Sequence, residues 1–287
     1  MTVNLRTNLS SLAAQRNLAL ATSNVSRSYE RLSSGLRINR ARDDAAGLAI
    51  AESLKSDAAV ASVAIRNAND GISTIAIADN AIEQITNTLS RLAELAEQSA
   101  NGVYTNVQRS ALSVEFLALQ SEIERIAFTT EFNGLKLLSG TSTVAYQIGF
   151  DGTSLSRVTY SGVAATLSAL GLAQPNTSIP SFSIIAGTAD ASMSAARLAL
   201  DGINSAIATV TRNRGLLGAT EARLEVTINN LRVARENFLA AESRIRDVDV
   251  AAEAAELTRT NILQQAASAV LAQANQQPAL ALQLISG

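Results

Sequence analysis

The sequence predicts a mainly α-helical protein: a long antiparallel, coiled-coil-like helical bundle (a rod) with paired N- and C-terminal helices and a small β-hairpin in the middle region. Apolar residues recur at alternating steps of three and four through most of the chain, which is the spacing of one helix face. Hydrophobic residues make up 47% of the 287 residues but aromatic residues only 3%, which favours closely packed helices with small side chains. The three prolines, at positions 175, 180 and 278, leave long stretches in which a helix can continue.

The first helix is predicted from Leu5 to Leu32. Its apolar stripe begins with Leu5, Leu9 and Leu12, and most other positions are Asn, Ser, Thr, Arg or Ala. One narrow apolar stripe on a polar helix gives only marginal stability to an isolated helix in water. This helix therefore needs a partner helix, from this chain or from another.

A charged joint, residues 33–44, follows the first helix. Gly35 and the two serines before it favour a break in the helix. The charged residues of the joint are Arg37, Arg40, Arg42, Asp43 and Asp44. The two carboxylates suit the first turn of the next helix, where the helix dipole is positive. The spacing alone leaves two interpretations open: an inter-subunit contact, or an ordinary solvated loop.

Two further helices are predicted over 47–100 and 106–128. At 1.5 Å per residue the first would run to roughly 75 Å, which favours a rod over a compact domain. Asn101-Gly102 ends it as a C-cap and turn, and the short connection predicts an antiparallel neighbour. A turn is predicted at Phe132-Asn133-Gly134.

The character of the sequence changes over residues 141–190, where Thr, Ser, Gly and Val become more frequent. Tyr146, Ile148 and Phe150 alternate with polar or glycine positions, and Asp151-Gly152 is a hairpin turn signal. These features predict a β-hairpin over about 144–161. A loop-rich segment with room for one short helix follows.

Helical spacing returns over 191–248 and 250–286. The N- and C-terminal halves of the chain carry apolar stripes of the same spacing. A three-to-four-helix bundle with both chain ends at one pole would bury all of these stripes. Pro278 is expected to bend or interrupt the last helix. The predicted seam of the last helix consists of Leu263, Ala267, Val270 and Ala274.

The composition excludes several classes of function. The chain has no Cys and no His, which removes disulfides, thiol nucleophiles, His-dependent catalysis and the usual zinc ligands. With a net charge of −2 and no basic patch, nucleic acid is not an expected partner. No 18-residue apolar run exists, so no membrane insertion is expected. We predict no catalytic, cofactor or metal residues, and the protein is not expected to be an enzyme.

Five stretches resemble bacterial flagellin, the filament protein of the bacterial flagellum, in a short form with a reduced variable middle region. They occur in flagellin order and cover most of residues 1–140 and 190–287. They read ERLSSGLRINRARDDAAGLAI (30–50), DNAIEQITNTLSRLAELAEQSANG (79–102), FNGLKLLSG (132–140), RNRGLLGATEARLEVTINNL (212–231) and ARENFLAAESRIRDVDVAAEAAELTRTNILQQAASAVLAQAN (234–275).

The resemblance implies a structural subunit that polymerises into the helical filament used for swimming motility. Its terminal helices would line an inner tube and order as the polymer forms. The implied domains are the N-terminal inner-tube helix (1–42), the rod (43–140 and 191–248), the reduced variable segment with the hairpin (141–190) and the C-terminal inner-tube helix (249–287).

The resemblance also implies partners and a location. The partners are the protein itself, a flagellar export chaperone that binds around Leu257–Leu284, the type III export apparatus, hook-associated junction and cap proteins, and toll-like receptor 5. The location is the extracellular flagellar filament, reached without a cleaved signal peptide. The positions that match the receptor-recognition pattern are Arg91, Leu95 and Glu115, which are equally compatible with ordinary surface charges on a bundle.

Two other classes of protein are compatible with helical stripes. One is a hook–filament junction protein, which has flagellin-like ends but does not polymerise. The other is a coiled-coil adaptor that forms a small closed oligomer. The continuous match at both ends, especially ILQQAASAVLAQAN, favours the filament subunit.

Overall fold

A computed structural model of the chain describes residues 7–140, 142–173 and 180–286, with only the backbone for 277–286. These residues form five α-helices and two small antiparallel sheets, which confirms the predicted mainly α fold. The helices are α1 (Leu9–Ser34), α2 (Ala45–Ala100), α3 (Asn106–Thr129), α4 (Ala189–Arg246) and α5 (Val250–Ser286). The strands are β1 (Glu131–Phe132), β2 (Leu135–Lys136), β3 (Thr143–Gln147) and β4 (Arg157–Ser161).

The chain divides into two compact units. The terminal unit comprises residues 1–58 and 236–287, and the central unit comprises residues 59–235. Each unit has its own packing and is described by itself below.

Local capping explains where α1 and α3 begin and where α1 ends. The Asn8 side chain accepts a hydrogen bond from the Ser11 amide at 3.0 Å and so caps the start of α1. Gly35 ends α1 in the left-handed conformation (φ 73°), which glycine adopts without steric cost. Thr105 and Gln108 form a capping box at the start of α3. The predicted start of the first helix at Leu5 lies outside the described residues.

In the terminal unit, α1 and α5 pack side by side and run antiparallel. The Asn8 amide donates to the Ala274 carbonyl at 2.8 Å near one end, and Arg31 pairs with Glu253 at 3.5 Å near the other. Between them, Gln264 donates to the Thr22 hydroxyl at 3.0 Å. The predicted pairing of the terminal helices is therefore confirmed.

In the central unit, a cluster of buried side chains joins α2, α3, α4 and the β3–β4 hairpin. Part of it comes from the apolar stripes predicted from the sequence, and part comes from residues 162–173, which follow the hairpin. Its largest members include Ile75, Ile82, Ile85, Leu89 and Leu92 of α2, Phe116 and Ile123 of α3, Leu217 and Leu224 of α4, and Tyr146 and Tyr160 of the hairpin. This cluster is the core of the central unit.

Two hairpins lie between α3 and α4. β3 pairs with β4 from Thr143↔Ser161 to Gln147↔Arg157, which confirms the hairpin predicted over about 144–161. The turn predicted at Phe132-Asn133-Gly134 closes a second hairpin, β1–β2. Asn133 (φ 50°) and Gly134 (φ 78°) both adopt positive φ there, as a tight primed turn requires.

The remaining described part of the middle segment, residues 162–173 and 180–188, forms turns and isolated bridges. The short helix for which the sequence left room is not found among these residues. α5 continues through Pro278 to Ser286, so this proline does not end the helix although it lacks a backbone donor.

Candidate assembly surface

The terminal helix pair leaves its largest apolar side chains exposed. On α1, Leu9 is 68% and Leu20 is 64% exposed; on α5, Ile262 is 61% and Val270 is 59% exposed. The residues buried between the two helices are instead small or polar: Ser11, Ala14, Val25, Ser28, Thr260 and Ala274. Large apolar side chains left exposed on a helix pair are candidates for contact with another chain.

The small residues at the contact leave an open groove of about 400 Å³ between α1 and α5. Its walls are formed by Ala14, Asn17, Ala21 and Asn24 on α1 and by Leu263, Ala266, Ala267 and Val270 on α5. The residues of the predicted terminal seam thus differ in their exposure and in their contacts. Leu263, Ala267 and Val270 line the groove, Ala274 is buried, Leu9 and Leu12 are exposed, and Leu5 lies outside the described residues.

The charged joint is tied to the connection between α4 and α5. Leu36 and Asp247 form an antiparallel bridge. The Arg37 amide donates to the Arg246 carbonyl at 2.6 Å, and the Arg37 guanidinium donates to the Ile245 carbonyl, also at 2.6 Å. Ile38 beside it is 2% exposed. Sequence reasoning missed this partner segment, because a two-residue bridge leaves no periodic signal.

The two carboxylates of the joint lie just before α2 and not in its first turn, where the sequence suggested them, and they form hydrogen bonds at the start of this helix. Asp43 accepts hydrogen bonds from the amides of Arg40 (3.1 Å) and Asn39 (3.4 Å). These bonds, that from Arg40 above all, hold the pKa of Asp43 below its ordinary value because they favour the charged carboxylate. Asp44 caps α2 by accepting from the Gly47 amide at 2.8 Å.

The remaining arginines of the joint keep much of their surface free. Arg40 pairs with Glu30 at 2.6 Å, yet its side chain is 59% exposed. Arg42 approaches Asp43 at only 3.8 Å and is 64% exposed. These two side chains are therefore open to groups outside the subunit, whereas Arg37, Asp43 and Asp44 bind backbone atoms of their own chain.

The receptor-recognition candidates lie in the central unit. Arg91 of α2 pairs with Glu115 of α3 at 2.8 Å and with Glu94 at 2.8 Å, and both pairs are exposed. Hydrogen bonding to Glu115 and then Glu94 raises the pKa of Arg91. Leu95 is 1% exposed and belongs to the buried cluster. The structure thus brings Arg91 and Glu115 together at the surface and places Leu95 in the core.

Among the described residues, no group of three or more acidic side chains is placed to hold a metal ion. None of the described helices is both long and apolar enough to cross a membrane. Within the described ranges, the features considered above are surfaces: the exposed apolar side chains of the terminal helix pair, the exposed Arg40 and Arg42, and the exposed Arg91–Glu115 pair. The fold is that of a mainly α-helical protein whose terminal helix pair exposes apolar side chains.

Comparison with known proteins identifies the family. Residues 5–143 match the bacterial flagellin N-terminal helical region, and residues 200–285 match the bacterial flagellin C-terminal helical region. The chain belongs to the bacterial flagellin family. It is accordingly a structural subunit of the flagellar filament and not an enzyme.

Relatives match along nearly the whole chain. A flagellin from Halalkalibacterium halodurans is 44% identical over 279 residues, which cover 97% of this chain and 98% of that protein. The flagellar filament 33 kDa core protein of Treponema phagedenis is 39% identical, with 97% and 98% covered. A solved structure assigned to a hook-associated flagellar protein of Vibrio parahaemolyticus has 14% identity and a TM-score of 0.55, covering 72% of this chain and 99% of that one; it shows the fold alone. The relatives that match along nearly the whole chain are flagellins and filament core proteins. The comparisons therefore do not support the alternative that the chain is a hook–filament junction protein.

Proposed function

We propose that this flagellin polymerises into its filament chiefly through the terminal helix pair, α1 and α5. The observation that carries the proposal is the exposure of half or more of the side chain at each of the large apolar residues Leu9, Leu12, Leu20, Ile262, Leu263 and Val270. The contact within the pair is made instead by residues that are small or polar. Fully burying one such side chain stabilises by about 1.5–3 kcal/mol. Contacts that do not close into a ring extend into a helical filament.

Ordering of the terminal helices would accompany assembly. The α1–α5 contact buries few large side chains, so the pair alone gains little of the free energy needed to fix two helices. Neighbouring subunits would supply the missing apolar contact, and part of that free energy would go into ordering the helices. The monomer should therefore be less helical than the polymer.

For the assembled subunit we keep the domain boundaries predicted from the sequence: inner-tube helices at 1–42 and 249–287, a rod at 43–140 and 191–248, and a variable segment at 141–190. The compact units of the single chain divide elsewhere, at 58/59 and 235/236. The exposed Arg40 and Arg42 would pair with carboxylates of a neighbouring subunit, and the other joint residues would hold the joint in shape.

The partners met before and at assembly are also proposals. An export chaperone would cover the apolar side of α5 around Leu257–Leu284, where Ile262 and Val270 are exposed. The chain would leave the cell through the type III export apparatus, without a cleaved signal peptide, and would meet hook-associated junction and cap proteins at the filament ends.

Recognition by toll-like receptor 5 would involve the exposed Arg91–Glu115 pair, with the buried Leu95 fixing the position of that part of α2. Arg91→Ala should lower receptor signalling, because it removes both ion pairs of this surface. A cell reporter assay with Arg125→Ala as the matched control measures the effect. Equal signalling by the two variants would contradict this assignment.

The test of the assembly proposal is polymerisation of heat-dissociated protein seeded with filament fragments, followed by electron microscopy and far-ultraviolet circular dichroism. Long tubes that form with a gain in helical signal support both the surface and the ordering of the termini. Closed oligomers whose helical signal is already complete in the monomer would overturn both.

A further inference from the structure

Arg109 is a buried cation that the assembly surface does not explain. It lies in the first turns of α3, in the central unit, and is 0% exposed. None of the ion pairs in the described part of the chain includes it. A buried charge without a carboxylate partner is unfavourable unless hydrogen bonds compensate for its lost hydration.

Three backbone carbonyls supply those hydrogen bonds. The guanidinium donates from Nε to the Ser99 carbonyl (2.9 Å), from Nη2 to the Asn101 carbonyl (2.8 Å) and from Nη1 to the Ala189 carbonyl (3.3 Å). Ser99 and Asn101 flank the end of α2, where carbonyls lack helical partners and the dipole is negative. α2 has no basic residue in its last turn, so Arg109 brings positive charge to it from another helix.

Buried serines extend the same network to residues 183–189, the segment that leads into α4 and includes its first residue, Ala189. The Ser99 hydroxyl donates to the Ile184 carbonyl at 2.8 Å. The Ser192 hydroxyl accepts from the Ala186 amide at 2.9 Å. Ser99, Ile184 and Ser192 are each 0% exposed. The lead-in to α4 is thus held by a buried hydrogen bond to Ser99 of α2 and by a partly buried one to Ser192 of α4.

We propose that Arg109 is a latch that makes two segments open and close together: the α2–α3 turn (residues 101–105) and the lead-in to α4 (residues 183–189). The planar guanidinium of Arg109 donates hydrogen bonds to carbonyls of both segments. Neither segment can move away from the helical core without breaking a hydrogen bond to Arg109. The latch keeps the end of the middle segment docked on the helical core, independently of polymerisation.

Hydrogen exchange on the full-length monomer tests this proposal. In Arg109→Met, amides 101–109 and 183–192 should exchange faster by a similar factor, roughly tenfold to a hundredfold, because the carbonyls of Ser99, Asn101 and Ala189 lose the donor that they share. The amides of α2 from Ile75 to Leu92 should keep their rates. Arg125→Met is the matched control, because Arg125 is 60% exposed and pairs within its own helix with Glu122; it should change neither segment.

Three results would overturn the proposal: unchanged exchange at 183–192, clearly different factors in the two segments, or a uniform rise across the central unit. If Arg109→Met does not fold, Arg109→Lys decides, because it keeps the charge but cannot reach all three carbonyls. A paired rise in the two segments of Arg109→Lys supports the latch, and any other pattern overturns it.

Discussion

Replacing Leu9 and Val270 together by alanine should weaken polymerisation without weakening the fold of the subunit. The two residues lie on α1 and α5 and are 68% and 59% exposed, so most of their apolar surface is free in the monomer. If neighbours bury that surface, each truncation should remove about 1–1.5 kcal/mol of subunit contact, scaled from the free energy of burying a whole side chain. Together, as the sum of the two losses, they should remove about 2–3 kcal/mol.

That free energy corresponds to a rise in the critical concentration of roughly 30- to 150-fold, since 1.4 kcal/mol is a factor of ten. Sedimentation of seeded polymerisation reactions gives the critical concentration directly. Val103→Ala is the matched control: Val103 is 84% exposed but lies in the α2–α3 turn, outside the terminal pair. A critical concentration within twofold of the parent for the double variant would refute the reasoning.

Three further predictions follow from the central unit and the joint. Gly71→Ala should lower the free energy of unfolding of the monomer by about 1–3 kcal/mol, because the added Cβ would lie 3.0 Å from the Leu224 side chain and overpack the core. Gly218→Ala should raise the free energy of unfolding by about 0.5–1 kcal/mol, because a Cβ there would have no other atom within 4 Å and alanine favours the helix. Chemical denaturation measures both changes. The Arg40 amide is the main cause of the lowered pKa of Asp43, and this shift stabilises the folded protein at pH values above the ordinary pKa of aspartate. The stabilisation disappears as the pH falls through the lowered pKa. In thermal melts, the melting temperature of Asp43→Asn should therefore depend less on acid pH than that of the parent. Burial raises the pKa of Tyr160, so stability falls as pH rises above the ordinary tyrosine value, and Tyr160→Phe should flatten this alkaline loss in the same assay.

The sequence alone determined the elements of the fold. Steps of three and four predicted helices over 47–100 and 106–128, and the structure gives Ala45–Ala100 and Asn106–Thr129. The Asp151-Gly152 signal and the alternation around it predicted the β3–β4 hairpin. These features are local: helix periodicity, capping and turn chemistry depend on residues a few positions apart, so the chain order contains them.

Only the tertiary structure decided which face of each terminal helix is buried within the subunit. The sequence marks Leu9, Leu12, Leu263 and Val270 as apolar, but small residues that it did not single out, such as Ser11 and Ala14, make the α1–α5 contact together with the predicted Ala274. Small side chains let two helices approach closely, and the larger ones then remain outside. A hydropathy stripe cannot distinguish a partner in the same chain from one in a neighbour.

Only the tertiary structure shows which polar groups distant in sequence form hydrogen bonds with each other. Nothing near Arg109 in the sequence indicates that it reaches Ser99 and Ala189, and nothing near Arg37 indicates the carbonyl of Ile245. Hydrogen bonds to backbone carbonyls depend on where distant segments meet and not on the identity of the residue that offers the carbonyl. The sequence therefore determined which elements form. The packing of those elements determined which charged side chains bind backbone atoms within the subunit and which stay exposed at its surface.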